Sequence, residues 1–262
     1  MKKYTENDPR PSVPKVDTVA RALSILECFT ASEPEQTLKQ LCEKTGLYKS
    51  RVHRLCRTLL DCGYLVRSSY YSYRLGPKLL VLGKVYERTN TLVSISRPIM
   101  QELAAAAGES AALFALEGEM SICLAREYGP SRLFFAINEG DFMQLYATAI
   151  GRVLLAHAPD GFRKKVLGRD LEAITPATIV DRKSLEEECR TILTRGYSIS
   201  REEREPGVAA IAAPIFDFDK KVPAALALVG PVQRISEENV PGMVEKLLAA
   251  TNRISLLMGE AG

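Results

Sequence analysis

The stretch from Thr37 to Leu65, TLKQLCEKTGLYKSRVHRLCRTLLDCGYL, admits few folds: a short helix, a glycine turn and a longer helix with one basic face. Thr37 and Gln40 have the Thr-x-x-Gln spacing of a capping box, in which each side chain satisfies a backbone donor left open at a helix start. Leu38, Leu41 and Cys42 supply an apolar stripe, and Gly46 falls where that helix must end in a left-handed turn. At about 100° per residue, Val52, Leu55, Cys56, Leu59 and Leu60 then gather on one side of a second helix that begins near Tyr48. Ser50, Arg51, Arg54, Arg57, Thr58 and Asp61 gather on the other.

That grammar predicts a helix-turn-helix whose second helix offers its first residues to the major groove of double-stranded DNA. Lys49, Ser50, Arg51, His53 and Arg54 sit early enough to reach base edges or phosphates, and Arg57, a turn later, suits a phosphate. Residues 64–67 and 70–75 read as the two strands of a wing around Ser68-Ser69. Arg67, Tyr73 and Arg74 are candidates for the sugar-phosphate backbone, although the tyrosines serve equally well to cover a thin core. Charge is divided in the same sense. Residues 1–80 hold 14 Lys and Arg against 8 Asp and Glu, whereas the rest of the chain holds 21 against 24. A positive excess in this half favours phosphate binding through counterion release.

The 262 residues, 46% hydrophobic and 26% charged, suffice for two domains with real cores. No apolar run approaches the roughly 20 residues of a membrane span, and the N-terminus lacks the apolar segment of a signal peptide, so no membrane partner and a cytoplasmic location are expected. Six cysteines, Cys28, Cys42, Cys56, Cys62, Cys123 and Cys189, form no C-x-x-C pair, and several fall on apolar helix faces. Buried free thiols are expected, with no metal site and no cofactor.

Punctuation divides the chain into a polar tail over 1–16, the DNA-binding unit over 17–77, a linker helix over 78–91 and a second domain over 92–262. In the first helix Val19, Ala22, Leu23, Leu26 and Phe29 are expected to wall the small core. The linker helix, opened by Pro77, carries Leu79, Leu82, Val85 and Tyr86 at helical spacing. Beyond it come a helix through Pro98 to Ala107, a hairpin turning at Glu117-Gly118, strands near 132–148 and a helix from Gly151. A helix over 184–194, strands near 197–203, 208–216 and 223–229, and a closing helix from Ser236 complete the chain. Strands in runs, flanked by helices, predict an α+β fold with a mainly antiparallel sheet.

Taken together, RALSIL at 21–26, KS-x-VHRL at 49–55, Gly63-Tyr64 and Tyr73-Arg74-Leu75-Gly76 resemble the IclR-type bacterial transcriptional regulators. So does a spaced pattern from Gly196 through Ser200 and Glu203 to Ala210-Ile211-Ala212 and Ile215-Phe216-Asp217. The resemblance implies a winged helix-turn-helix ahead of a GAF-like effector-binding domain. It also implies a homodimer, often a dimer of dimers, reading a pseudo-palindromic operator, with a small metabolite as effector. Members that bind small oxo-acids use a pocket over the sheet. Its polar end falls here at Ala149, Ile150, Ser200, Ala210, Ala227 and Val229, and its apolar wall at Phe135, Met143 and Val208. Those members place an acidic, a thiol and hydroxyl side chains at the last four polar positions, so this chain departs from them. Methyl and isopropyl groups leave a small, very polar ligand without hydrogen-bond partners. A larger or more apolar ligand, such as an aromatic acid, is the expectation, its carboxylate on the backbone amides near Ala149 and Ile150. The alanines serve equally as plain core fillers.

Two other readings stand beside this one. The C-terminal domain serves oligomerisation alone, or it carries chemistry through Cys123 or the carboxylates of Arg201-Glu202-Glu203-Arg204-Glu205. Against an enzyme, the chain holds only His53 and His157, and no G-x-S-x-G, P-loop or G-x-G-x-x-G motif. The charged run reads more simply as a turn between strands. No enzymatic activity is expected.

Overall fold

The computed structural model describes residues 16–30, 32–68, 71–89, 91–130 and 137–259. The chain divides into two compact units between Glu87 and Arg88. Residues 1–15 of the polar tail therefore lie outside the described residues, as do 132–136 of the strands expected near 132–148, with Phe135.

The first unit contains α1 (Asp17–Leu26), α2 (Leu38–Thr45) and α3 (Lys49–Asp61). Strands β1 (Gln36–Thr37), β2 (Leu65–Arg67) and β3 (Ser72–Leu75) form an antiparallel sheet in the order β1-β3-β2. Helix α4 (Pro77–Thr89) follows. The capping box is present: Gln40 N–H donates to Thr37 Oγ1 (3.3 Å) and Thr37 N–H to Gln40 Oε1 (2.8 Å). Gly46 ends α2 at φ +68°, its N–H on the Cys42 carbonyl, a conformation nearly free for glycine and costly for residues with a Cβ. Val52, Leu55, Cys56 and Leu59 of α3 are buried with Ile25, Phe29, Leu41, Leu47, Leu65 and Tyr73. Each such aliphatic side chain contributes roughly 1.5–3 kcal/mol by leaving water.

Two expectations in this unit are corrected. The apolar stripe of α1 is wider than the core it serves. Ile25 and Phe29 are buried and Ala22 and Leu26 partly so, whereas Val19 and Leu23 are exposed. Cys62, which caps the end of α3, is exposed, unlike the buried Cys56, Cys123 and Cys189.

In the second unit a six-stranded antiparallel sheet runs in the order β6-β5-β4-β9-β8-β7. Its strands are β4 (Ser110–Glu117), β5 (Met120–Glu127), β6 (Phe142–Gln144), β7 (Ser198–Arg201), β8 (Val208–Ile215) and β9 (Ala224–Pro231). Helices α5 (Thr91–Ala107) and α9 (Val240–Leu257) pack against one face. Helices α6 (Ala149–His157), α7 (Asp160–Leu167) and α8 (Arg182–Arg195) belong to the cluster on the other. The period of two explains the division: in β8, Ala209, Ile211, Ala213 and Ile215 join the first cluster, and Val208, Ala210 and Ala212 the second. Phe114 follows the alternation of β4 to the α6 side, and a register slip opposite it, which skips Leu124, brings its partner Cys123 to the same side. The fold is α+β. Helix α7 was not anticipated, because its eight residues DGFRKKVL bury only Val166 and Leu167.

Helix α6 lies very close to the chain before it. A Cβ on Gly151 would stand 2.5 Å from the Leu145 carbonyl oxygen, so only glycine lets the helix start against that backbone. Thr148 caps it, its hydroxyl accepting from Gly151 N–H at 3.0 Å.

Candidate functional site

The DNA-facing candidates in the first unit fall into three groups. Lys49, Ser50, His53 and Arg54 are exposed on the outer face of α3, with no side-chain hydrogen bond or ion pair among the described residues. Arg51, Arg57 and Arg74 are held by acids of their own unit: Arg51 by Asp17 (2.7 Å), Arg57 by Asp61 (3.3 Å) and Arg74 by Glu35 (3.2 Å). The Arg21 guanidinium, with Arg51 behind it, holds the Asp17 carboxyl below its ordinary range. Tyr73 stands apart. It is only 4% exposed and belongs to the core, so it covers hydrophobic surface instead of touching a sugar-phosphate backbone. Burial pushes its phenol up, and Arg67 lies 6.0 Å above its ring.

Beside these candidates stands Tyr48. It stands immediately before α3, 86% exposed, and makes no side-chain cap, which leaves the first amides of the helix open.

In the second unit a cleft encloses about 550 Å³ of empty space, open mouth included. Seven of the expected residues line it: Met143, Ile150, Ser200, Val208, Ala210, Ala227 and Val229. Phe114 and Ile137 extend the apolar wall. Ala149 does not line the cleft; its side chain is fully buried at the start of α6. The amides of Ala149 and Ile150 have no hydrogen-bond partner among the described residues and carry the positive end of the helix dipole. Ser200, 8% exposed, keeps its hydroxyl without a partner among the described residues.

The charged run after β7 is more than a solvated turn. Arg152, 1% exposed within α6, forms a two-pronged ion pair with Glu203, 7% exposed, and donates from Nη2 to the Ile199 carbonyl at 2.7 Å. Thr175 Oγ1 donates to the Glu202 carbonyl (2.7 Å) and Thr178 Oγ1 to that of Glu203 (2.5 Å). Glu202 adopts φ +58° and accepts Gly207 N–H at 2.8 Å. An arginine inside the apolar helix AIGRVLLA was the sequence signal, since a buried cation needs an acid.

The groups considered for chemistry are not poised for it. Cys123 is buried, and burial, with Glu139 and Asp141 behind it, pushes its thiol up to about 12; such a thiol stays protonated. His157 sits half-buried against the edge of Phe216, ring centroids 5.6 Å apart, with Nδ1 2.9 Å from the Val153 carbonyl. Its pKa is lowered by burial. Among the described residues, no His, Cys, Asp and Glu cluster could hold a metal ion.

Residues 18–69 match the family description "IclR helix-turn-helix domain", and residues 85–256 match "Bacterial transcriptional regulator IclR C-terminal". The HTH-type transcriptional regulator BhcR of Paracoccus denitrificans is 33% identical over 242 residues, 91% of this chain and 86% of that protein. Among solved structures, the IclR regulator from Alicyclobacillus acidocaldarius superimposes with a TM-score of 0.86 at 26% identity, covering 94% of this chain and 100% of that one. An IclR homolog from Microbacterium hydrocarbonoxydans, complexed with 4-hydroxybenzoate, gives 0.83 at 27% identity over 92% of this chain and 98% of that one.

Proposed function

The chain belongs to the IclR family of DNA-binding bacterial transcriptional regulators, and on that premise we propose that its second unit senses an aromatic or otherwise apolar organic acid. The observation that carries this reading is the lining of the cleft: Phe114, Ile137, Met143, Val208, Ala210, Ala227 and Val229 present hydrocarbon. A compact oxo-acid placed there would forgo hydrogen bonds it makes in water, at about 1–3 kcal/mol for each group left unpaired. An aromatic acid instead gains from burying its ring, and its carboxylate has the amides of Ala149 and Ile150 and the Ser200 hydroxyl to meet. The 4-hydroxybenzoate held by the Microbacterium homolog supports this class.

The operator is contacted chiefly by Lys49, Ser50, His53 and Arg54, with Arg51, Arg57 and Arg74 joining once phosphate replaces their acidic partners. The protein acts as a dimer on a pseudo-palindromic site. Support for pairing comes from apolar side chains that the first unit leaves exposed: Val16, Val19 and Leu23 around α1, and Leu80, Val81, Leu82, Val85 and Tyr86 on α4. Ligand in the cleft is read out through α4 as a change in the spacing of the paired recognition helices.

Footprinting the full chain on the intergenic region upstream of its own gene, with nonspecific competitor, tests the DNA side. The expected result is a protected, two-fold symmetric site, and protection of a single asymmetric half-site contradicts the dimer. Calorimetric titration with 4-hydroxybenzoate tests the sensor side. Saturable binding is expected, and no binding by any of a panel of aromatic acids would favour a C-terminal unit that serves oligomerisation alone.

A further inference from the structure

The cleft has a bridged mouth. Gln144 ends β6 and Arg204 follows β7, and these strands are the two edges of the six-stranded sheet. Arg204 Nη1 donates to Gln144 Oε1 at 2.9 Å, so a side chain just beyond one edge strand meets a side chain at the end of the other. Arg204 lines the cleft; Gln144 carries its backbone carbonyl 3.5 Å from the Thr148 hydroxyl, at the start of α6. Arg204 thus lines the same cleft as Thr148 and Ile150 at the start of α6.

The backbone around Arg204 is pinned. Glu202 N–H donates to the Val208 carbonyl at 2.7 Å, Thr175 and Thr178 hold the carbonyls of Glu202 and Glu203, and Arg152 holds the Glu203 carboxylate. The side chain itself is exposed, and its one partner among the described residues is a neutral amide. A guanidinium paired with an amide has a better partner in a carboxylate, which offers two oxygens and a full charge in bidentate geometry. Of the charged side chains that line the cleft, Glu203 is neutralised by Arg152, and Glu205 is exposed with no side-chain hydrogen bond among the described residues.

We propose that Arg204 is the residue that selects acids in this cleft, leaving Gln144 to clamp the ligand carboxylate against the start of α6 and so releasing the bridge between the two sheet edges. This rests on the aromatic-acid reading of the cleft. It assigns Arg204 the choice of charge and the apolar wall the choice of size. Because one group serves both bridge and ligand, binding is coupled to the bridge between the sheet edges.

The test compares 4-hydroxybenzoate with its uncharged analogue 4-hydroxybenzyl alcohol by calorimetry on the full chain and two variants, each checked by thermal melting. Arg204→Gln is expected to weaken the acid at least tenfold and to leave the alcohol unchanged. Gln144→Leu, which frees Arg204, is expected to tighten the acid severalfold. An acid-to-alcohol ratio unchanged by Arg204→Gln would overturn the assignment while leaving the aromatic-acid reading intact. A loss of acid affinity in Gln144→Leu as large as in Arg204→Gln would reduce the bridge to a structural support and overturn the exchange. Failure of the wild-type chain to bind either compound or any of the panel of aromatic acids would instead remove the aromatic-acid reading, and Arg204's role with it.

Discussion

Replacing Arg152 by Met removes the cation beneath the cleft while keeping a straight side chain in α6. The guanidinium meets both Glu203 oxygens, the Ile199 carbonyl and, at 3.5 Å, the Ser198 hydroxyl. With the cation gone, a carboxylate only 7% exposed has no countercharge, a situation that costs about 3–5 kcal/mol. At a urea slope of about 2 kcal/mol/M, the transition of the second unit moves down by roughly 1.5–2.5 M. Replacing both partners by Met removes the stranded charge and is expected to restore most of that loss, since well-packed apolar pairs often match buried ion pairs in stability. Urea unfolding followed by circular dichroism, at one protein concentration so that assembly does not shift the midpoint, gives the comparison. A single variant that loses less than about 1 kcal/mol, or a double variant no more stable than the single, would refute the claim that this pair is dry and mutually dependent.

Arg54→Ala is expected to weaken operator binding by about tenfold and to lower the salt slope by about one, with no change in melting, because the side chain lies on the polar face of α3; unchanged affinity removes Arg54 from the contact set. Tyr73→Ala should cost about 3–5 kcal/mol, as loss of a core aromatic does, whereas Tyr71→Ala, at an exposed position, should stay within about 0.5 kcal/mol; equal effects in denaturation would contradict the buried placement of Tyr73. Burial lowers the pKa of His157 beneath 6.5, so the folded chain binds fewer protons than the unfolded one at mildly acid pH. Stability contributed this way is present above the unfolded pKa and falls as pH drops through it. His157→Gln should flatten the fall in stability from pH 7 to pH 5, and an unchanged slope would locate that proton uptake elsewhere.

The parts of the fold legible in the sequence were those written in local chemistry. Thr37, Gln40 and Gly46 fix the ends of α2 through backbone hydrogen bonds and a left-handed turn, and both are decided within a few residues. In β8, by contrast, VAAIAAPI is apolar throughout, so only the packed structure says which side chain meets which layer of helices. Long-range pairings were harder to read. The partnership of Arg152 with Glu203 joins residues 51 apart, and only the odd arginine in an apolar helix hints at it. Val19 went the wrong way for a related reason. Periodicity places apolar residues on one face, but how much of that face the core covers depends on what packs against it. The Arg204–Gln144 bridge follows from sheet order, since it requires knowing that β6 and β7 are the two edges.

Ligand in the cleft governs the operator only through coupling between the two sites, and linkage makes that coupling reciprocal. The most direct measurement is the affinity of the full chain for 4-hydroxybenzoate, free and saturated with a footprinted operator, set against operator affinity with and without the same acid. Two shifts of the same factor and the same sign are predicted. An acid that binds in the cleft with equal affinity in the presence and absence of operator, and leaves operator affinity unmoved, would contradict the central claim that this cleft governs DNA binding.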